Sequence, residues 1–211
     1  MIVSMEALPL KPFACAAAVM AALMFGSAPA LADESESANG GGGHNVVQVV
    51  NRVDGRLNVR VRVDFNIITG PTVRPVNAAY AYSSCNGCQT LAVALQINLI
   101  SMTATDIRPV NLSKAINYSC HDCLTVADAV QYTIAVADPE RVEPRVEELF
   151  DTMQAELAAA RSTPSLTVAV ADIDAVLVQF VDLANSLIAA KDATAEPTTP
   201  GAGPPPADLS P

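Results

Sequence analysis

The chain has no tryptophan, and aromatic residues make up only 4 % of its 211 residues. Any core is therefore expected to consist of Val, Leu, Ile and Ala, and the sequence has enough of them because 51 % of it is apolar. Basic residues are scarce too: 12 Lys and Arg stand against 22 Asp and Glu, which gives a formal net charge of −10. Nucleic acids and anionic lipid surfaces both attract clustered Lys and Arg, so the composition argues against either partner.

Known hydrolytic motifs are also missing. The sequence contains no H-E-x-x-H, G-x-S-x-G or G-x-x-x-x-G-K-[ST] pattern. Its two histidines are His44, in a Gly-rich stretch, and His121, between two cysteines. We therefore predict no catalytic residues and a protein that is not an enzyme.

Residues 1–32 have the three parts of a secretory signal peptide. Lys11 supplies a weak positive segment, residues 13–25 (FACAAAVMAALMF) are uncharged and apolar, and residues 30–32 (ALA) form a small-x-small cleavage site. The apolar run is shorter than the roughly 20 residues that a membrane-spanning helix needs. We expect residues 1–32 to be cleaved, the mature chain to have no membrane span, and the protein to be secreted or otherwise extracytoplasmic.

Four cysteines remain after cleavage, arranged as two C-x-x-C pairs. Export to an oxidising compartment favours disulfides among an even number of cysteines. Four cysteines allow three pairings, and the spacing alone leaves all three open. The predicted disulfide residues are Cys85, Cys88, Cys120 and Cys123.

The region around these cysteines is repeated. Residues 77–96 and 111–131 share C-x-x-C-x-T-[LV]-A-x-A-[LV]-Q, and the first Asn of each ends an R-P-V-N entry. The offset between the two copies is nearly constant, because the second copy has only one extra residue, placed before its cysteine pair. A degenerate copy precedes them, in which Val53 and Arg56 replace the cysteines. The recurring Asn and Gln side chains are expected to cap turns or to bridge neighbouring units.

Each unit is predicted to be a β-hairpin. Asp-Gly at 54–55 and Asn-Gly at 86–87 are typical of type I′ turns, which need positive φ at both central residues. The segments 57–65 and 91–99 alternate between large apolar residues and Ala or polar residues, as half-buried strands do. The alternative is a short helix after each C-x-x-C, because Ala, Leu and Gln favour helices. We therefore predict an α+β fold in which repeated antiparallel β-hairpins form one sheet over residues 45–137.

The flanking segments differ in composition. Residues 33–44 are polar and Gly-rich and are predicted to be a flexible linker. Residues 138–191 are predicted to form an αα-hairpin: Asp138-Pro139 is a helix-start signal, and the apolar residues of the second helix recur at a near-heptad spacing typical of a coiled coil. Residues 192–211 are rich in Pro and are predicted to be a disordered tail.

Two other roles for the cysteines stay open. The two C-x-x-C pairs, with segment 89–119 between them, approximate zinc-ribbon spacing, so the same four cysteines could instead ligate zinc as thiolates. A thiol–disulfide oxidoreductase is the other alternative, since the His of Cys120-His-Asp-Cys123 could favour a thiolate. Disulfides without a cofactor are the first expectation, because export favours oxidation.

The repeat resembles a family of exported bacterial proteins, and similar units occur in C-terminal regions of proteins described as peptide zinc metalloproteases. The resemblance covers about residues 45–190 and departs at Asp128 and at Ser113-Lys114. It implies no activity, and the protease motif is missing here. We expect a non-catalytic structural or protein-interaction module whose partner is another extracellular or envelope protein. The matching positions are Asn77, Cys85, Cys88, Thr90 and Gln96, with their equivalents Asn111, Cys120, Cys123, Thr125 and Gln131.

Overall fold

The computed structural model describes residues 42–194. The predicted signal peptide, most of the predicted linker and most of the predicted tail lie outside the described residues. The strands are β1 (His44–Asn51), β2 (Leu57–Ile68), β3 (Thr72–Val73), β4 (Val76–Ser83), β5 (Gln89–Ser101), β6 (Asp106–Ile107), β7 (Val110–Asn117) and β8 (Leu124–Val136), and the helices are α1 (Pro144–Ser162) and α2 (Leu166–Thr194).

Every strand pairs in parallel with the matching strand of the neighbouring unit. One sheet has the order β1-β4-β7, a second has the order β2-β5-β8, and a short third sheet pairs β3 with β6. We call each pair of consecutive long strands a rung: rung 1 is β1 and β2, rung 2 is β4 and β5, and rung 3 is β7 and β8. The three rungs are stacked, and each contributes one strand to each large sheet.

The prediction of an antiparallel hairpin sheet is wrong. The two strands of a rung lie in different sheets. At the turns, Gly55 has a φ of 67° and Gly87 a φ of 62°, while neither Asp54 nor Asn86 has positive φ. A type I′ hairpin turn needs positive φ at both central residues, so these turns do not fold the strands onto each other. The amides of the two turn glycines instead donate to the next rung, Gly55 to the Asn86 carbonyl at 2.8 Å and Gly87 to the His121 carbonyl at 2.7 Å.

Strands, rather than helices, follow each C-x-x-C pair. The register of the parallel sheets places matching residues side by side: Asn45, Asn77 and Asn111 align in one sheet, and Gln96 aligns with Gln131 in the other. Side chains of the same type stack well in parallel, in-register strands, because each repeats the contacts of its neighbour. The near-constant offset in the sequence therefore suits stacking of rungs better than a row of hairpins.

Two cores lie on opposite faces of the β2-β5-β8 sheet. Between the two large sheets the core is small: it consists of Val47 and Val49 with alanines from β4 and β5. The larger Leu, Val and Ile side chains of β2 and β5 point the other way and pack against α1 and α2. Alternation of Ala with Leu or Val thus gives β5 two buried faces, one covered by a sheet and one by the helices.

The helical pair is present, but its predicted start is displaced. Of the two possible starts, the Asp138-Pro139 signal and a start delayed by Pro144, the structure has the second: α1 begins at Pro144, which lies in its first turn. Proline is favoured there because its missing amide hydrogen would have no partner in the first turn. Phe180 of α2 is fully buried and contacts Tyr132 of β8, with ring centroids 5.8 Å apart.

Within residues 42–194, neither helix combines the length and apolar character that crossing a membrane requires.

Candidate functional site

The four predicted cysteines meet at the tips of rungs 2 and 3. Cys85 is bonded to Cys88 and Cys120 to Cys123, with Cα–Cα separations of 5.9 and 6.0 Å. Each disulfide thus closes one C-x-x-C turn, which selects one of the three pairings that the sequence left open. We call these four residues the sulfur cluster.

The two disulfides are stacked in contact with each other. Cys88 Sγ lies 3.3 Å from Cys123 Sγ and 3.8 Å from Cys120 Sγ. Backbone bonds between the rungs hold this arrangement, since the Leu124 amide donates to the Cys88 carbonyl at 2.9 Å. The contact exists because the rungs stack in parallel and place equivalent tips side by side, which the hairpin prediction could not show.

The two pairs differ in exposure. Cys85 and Cys88 are 5 % and 0 % exposed, whereas Cys120 and Cys123 are partly exposed. In rung 1 the equivalent tip carries Val53 and Arg56, and it adds no sulfur. The outer pair therefore lies between solvent and the buried pair.

Three sulfurs of the cluster have a spacing that could suit a metal ion. The Sγ atoms of Cys88, Cys120 and Cys123 all lie within 4.8 Å of one another. Zinc binds cysteine only as thiolate, and a sulfur in a disulfide has no charge to offer. The oxidised cluster therefore does not fit zinc, and only the reduced cluster would supply the right donors.

The recurring Asn side chains bridge neighbouring rungs, as expected. Asn45 Nδ2 donates to Asn77 Oδ1, and Asn77 Nδ2 donates to Asn111 Oδ1, both at 2.9 Å. Gln131 Nε2 donates to Gln96 Oε1 at 2.6 Å in the other sheet. We call the three asparagines the Asn ladder. Its role is structural, because its amides also bond to strand carbonyls such as that of Ala94.

Rung 3 has an open edge, which the sequence analysis missed. Within residues 42–194, β7 pairs only with β4 and β8 only with β5. Every residue of β7 is exposed, including Val110 at 48 % and Leu112 at 45 %. In the predicted row of hairpins β7 would lie between two other strands, so its free side was not expected. We call the free side of β7 and β8 the open edge.

The opposite end of the stack carries charge instead. Arg60 and Arg62 of β2 align with Ala92 and Ala94 of β5, on the side that faces the other sheet. Charged residues on that side of an edge strand oppose the addition of another strand, because it would bury them. The corresponding residues of β8 are Ala127 and Ala129, so β8 has no charge on the side that faces the other sheet.

Two carboxylates near the rungs have shifted acidity. Burial raises the pKa of Asp64 above its ordinary value, although the Arg62 cation and hydrogen bonds with Asn66 and Gln96 oppose the shift. The pKa of Asp106 is lowered, first by its hydrogen bond with Arg74, whose Nη2 lies 2.5 Å from Asp106 Oδ2. Neither carboxylate adjoins the sulfur cluster, so we assign both a structural role.

Parallel stacking of rungs, with disulfides at the tips of rungs 2 and 3 and helices on one flank, defines a short β-solenoid with two large sheets and one short one. No family model, curated protein or solved structure matches the chain. The fold and the two features described above, the sulfur cluster and the open edge, therefore carry the functional argument.

Proposed function

We propose that the protein is a secreted, non-catalytic interaction module, stabilised by its disulfides, and that its open edge binds an extended segment of another extracellular or envelope protein. The observation that carries the proposal is the exposure of every residue of β7 in a strand with a free side. A strand edge of this kind offers backbone amides and carbonyls that an added strand can satisfy.

The open edge also defines the chemistry of its partner. The outward side of β7 presents Val110, Leu112 and Ile116, with Lys114 among them. The inward side presents Ser113 and other small or polar residues. We therefore expect a partner strand with β-branched or aromatic residues on its outward side, small residues on its inward side, and an acidic residue opposite Lys114.

Two properties of the chain support an extracytoplasmic location for this module. Residues 1–32 have the pattern of a signal peptide, and the disulfides suit an oxidising compartment. The duplicated units support a structural role, since they build the stack by repeating one strand pair. The net charge of −10 leaves protein, rather than nucleic acid, as the favoured partner.

The test uses a peptide that copies rung 2, residues 76–101, with serine in place of both cysteines and Glu in place of Tyr80. It presents both strands of a rung and an acid opposite Lys114. We expect it to bind the exported protein in calorimetry and to shift NMR signals of β7 and β8. Ala127→Arg gives the open edge the charge that Arg60 supplies to rung 1, and we expect it to weaken binding at least about tenfold, because the new charge would be buried.

Gln48→Arg, on the exposed outward side of β1, is the matched control and should leave binding unchanged. Absence of peptide binding, or equal binding by the Ala127→Arg variant, would overturn the proposal. A concentration-dependent dimer that Ala127→Arg abolishes would also overturn it, by showing that a second copy occupies the open edge.

A zinc-binding module is the second candidate, because three Sγ atoms lie within 4.8 Å of one another. It requires the reduced protein. Binding of one zinc ion per chain after anaerobic reduction, abolished by Cys88→Ser, would support this candidate. Failure of the reduced protein to bind zinc in competition with a chromophoric chelator would exclude it.

A further inference from the structure

We propose that the sulfur cluster is a thiol–disulfide relay: an external dithiol reduces Cys120–Cys123, and the electrons pass on to the buried Cys85–Cys88 pair. This activity is independent of the open edge and of its protein partner. It follows from a juxtaposition of four sulfurs that single, isolated disulfides do not have.

The order of exposure sets the direction of the relay. Thiol–disulfide exchange requires an attacking thiolate to reach a sulfur atom, so access controls the rate. Cys88 is fully buried and Cys85 nearly so, while both sulfurs of the outer pair belong to partly exposed residues at the tip of the last rung. An external thiol therefore reaches the outer pair first.

The contact between the pairs supplies the internal step. Cys123 Sγ lies 3.3 Å from Cys88 Sγ, within the range in which reacting atoms are held before bond formation. Cys85 Sγ does not belong to the group of three sulfurs within 4.8 Å of one another, so Cys88 is the sulfur of the buried pair nearest to the outer pair. Cys88 is thus the atom that Cys123 attacks.

The external reduction balances as follows. One thiolate of the external dithiol attacks Cys120 Sγ, the Cys120–Cys123 bond breaks, and Cys123 leaves as a thiolate. The second external thiol attacks the mixed disulfide, which releases Cys120 as a thiol and oxidises the external dithiol. Two electrons have then entered the protein together with one proton, which Cys120 holds, and the second proton of the external dithiol has gone to solvent.

The internal transfer needs no further reductant. The Cys123 thiolate attacks Cys88 Sγ, a Cys88–Cys123 bond forms, and the Cys85–Cys88 bond breaks with Cys85 leaving as a thiolate that takes up a proton. Cys120 then gives up its proton to solvent, attacks Cys123 Sγ as a thiolate, and releases Cys88 as a thiolate that takes up a proton. The outer pair is oxidised again, and the buried pair holds the two electrons and two protons.

The first test measures how fast the buried pair is reduced. The exported protein is treated with dithiothreitol, quenched with acid, alkylated and mapped by mass spectrometry. In the Cys120→Ser/Cys123→Ser variant we expect free Cys85 and Cys88 to form at least about tenfold more slowly than in the unchanged protein, because the accessible entry pair is gone. Reduction at the same or a higher rate would overturn the relay.

The second test traps the bridge between the rungs. The Cys85→Ser/Cys120→Ser variant keeps Cys88 and Cys123, and we expect a disulfide between them. The Cys88→Ser/Cys120→Ser control keeps Cys85 and Cys123, and we expect both to remain thiols. Equal yields in the two variants would contradict the proposed contact.

A third measurement needs no substitution and so does not depend on the folding of a variant. One equivalent of dithiothreitol, followed by acid quenching at early times, should give peptides joined through Cys88 and Cys123 as a transient species. If only Cys85–Cys88 and Cys120–Cys123 bridges are found at every time point, the relay is wrong.

Discussion

Asn77 occupies the centre of the Asn ladder and has no exposed surface. Its Nδ2 lies within hydrogen-bond distance of the Ala94 carbonyl, the Val130 carbonyl and Asn111 Oδ1, at 2.9, 3.1 and 2.9 Å. A buried amide is stable only when such partners are present, because an unpaired polar group in the interior costs free energy. The Asn ladder therefore fixes the register between neighbouring rungs and links the two large sheets.

Replacing this amide should destabilise the fold strongly. We expect Asn77→Ala to lower the free energy of unfolding by about 2–4 kcal/mol, since it removes several bonds and leaves their partners buried and unpaired. Urea denaturation followed by circular dichroism measures the change. Asn58→Ala is the control: Asn58 is only half-buried and donates one bond, to the Val50 carbonyl, so its loss should cost less than about 1 kcal/mol. Equal costs would contradict the role of the ladder.

Asp64 and Asp106 should affect stability with opposite dependence on pH. Burial raises the pKa of Asp64 in the folded protein above 3.8, the value for an unperturbed Asp. Protonated Asp64 therefore contributes its full stabilisation below pH 3.8, and this contribution is lost as pH rises through the folded pKa. Asp64→Asn should therefore raise the urea midpoint at pH 7, and the gain should shrink in acid.

Stability depends on pH in the opposite direction for Asp106, because its hydrogen bond with Arg74 lowers its pKa. Its contribution is present above 3.8 and is lost as pH falls through the folded pKa. Asp106→Asn should therefore lower the midpoint at pH 7 but not in strong acid. The urea midpoints of both variants are measured between pH 2 and pH 7. This interval extends roughly two units below and three above the unperturbed carboxyl pKa. The same pH trend in both would contradict the assignment.

At the scale of elements, sequence periodicity identified the strands but not their partners. The alternation in 57–65 and 91–99 reflects one buried face toward the helices and one toward the other sheet, and it is the same in an antiparallel hairpin and in a stacked rung. Asp-Gly and Asn-Gly are frequent in hairpins, yet here only the glycine takes positive φ. Which strands pair with each other depends on contacts between residues of different repeats, and local sequence patterns do not encode these contacts.

α2 is packed into the larger core beside the β2-β5-β8 sheet, and this packing should stabilise the fold. Phe180 is fully buried against Tyr132, and its truncation would leave a cavity in the larger core. We expect Phe180→Ala to cost about 3–5 kcal/mol in unfolding free energy. Val178→Ala on the same helix removes a side chain that is 62 % exposed and should change stability by less than about 0.5 kcal/mol. Similar losses for both variants in urea denaturation would show that α2 is not packed as described.

At the scale of the whole molecule, the cysteines were identified from sequence as a disulfide framework, but their contact with each other was not. The number of cysteines and the expected export favoured disulfides. The stacking of the rung tips, which the sequence did not indicate, places Cys88 Sγ 3.3 Å from Cys123 Sγ. The open edge was also hidden, because it exists only once rung 3 is known to be the last of the described stack. Both features depend on the direction in which strands pair.

The direction of pairing is therefore the central claim, and NMR of the uniformly labelled protein tests it most directly. Parallel rungs place Val93 beside Val61 on one side and Asp128 on the other, at the roughly 4.8 Å spacing of paired strands, so cross-strand NOEs should join these residues. An antiparallel hairpin about Asn86-Gly87 would instead pair Val93 with Tyr80. Backbone NOEs between Val93 and Tyr80, without those to Val61 and Asp128, would contradict the account.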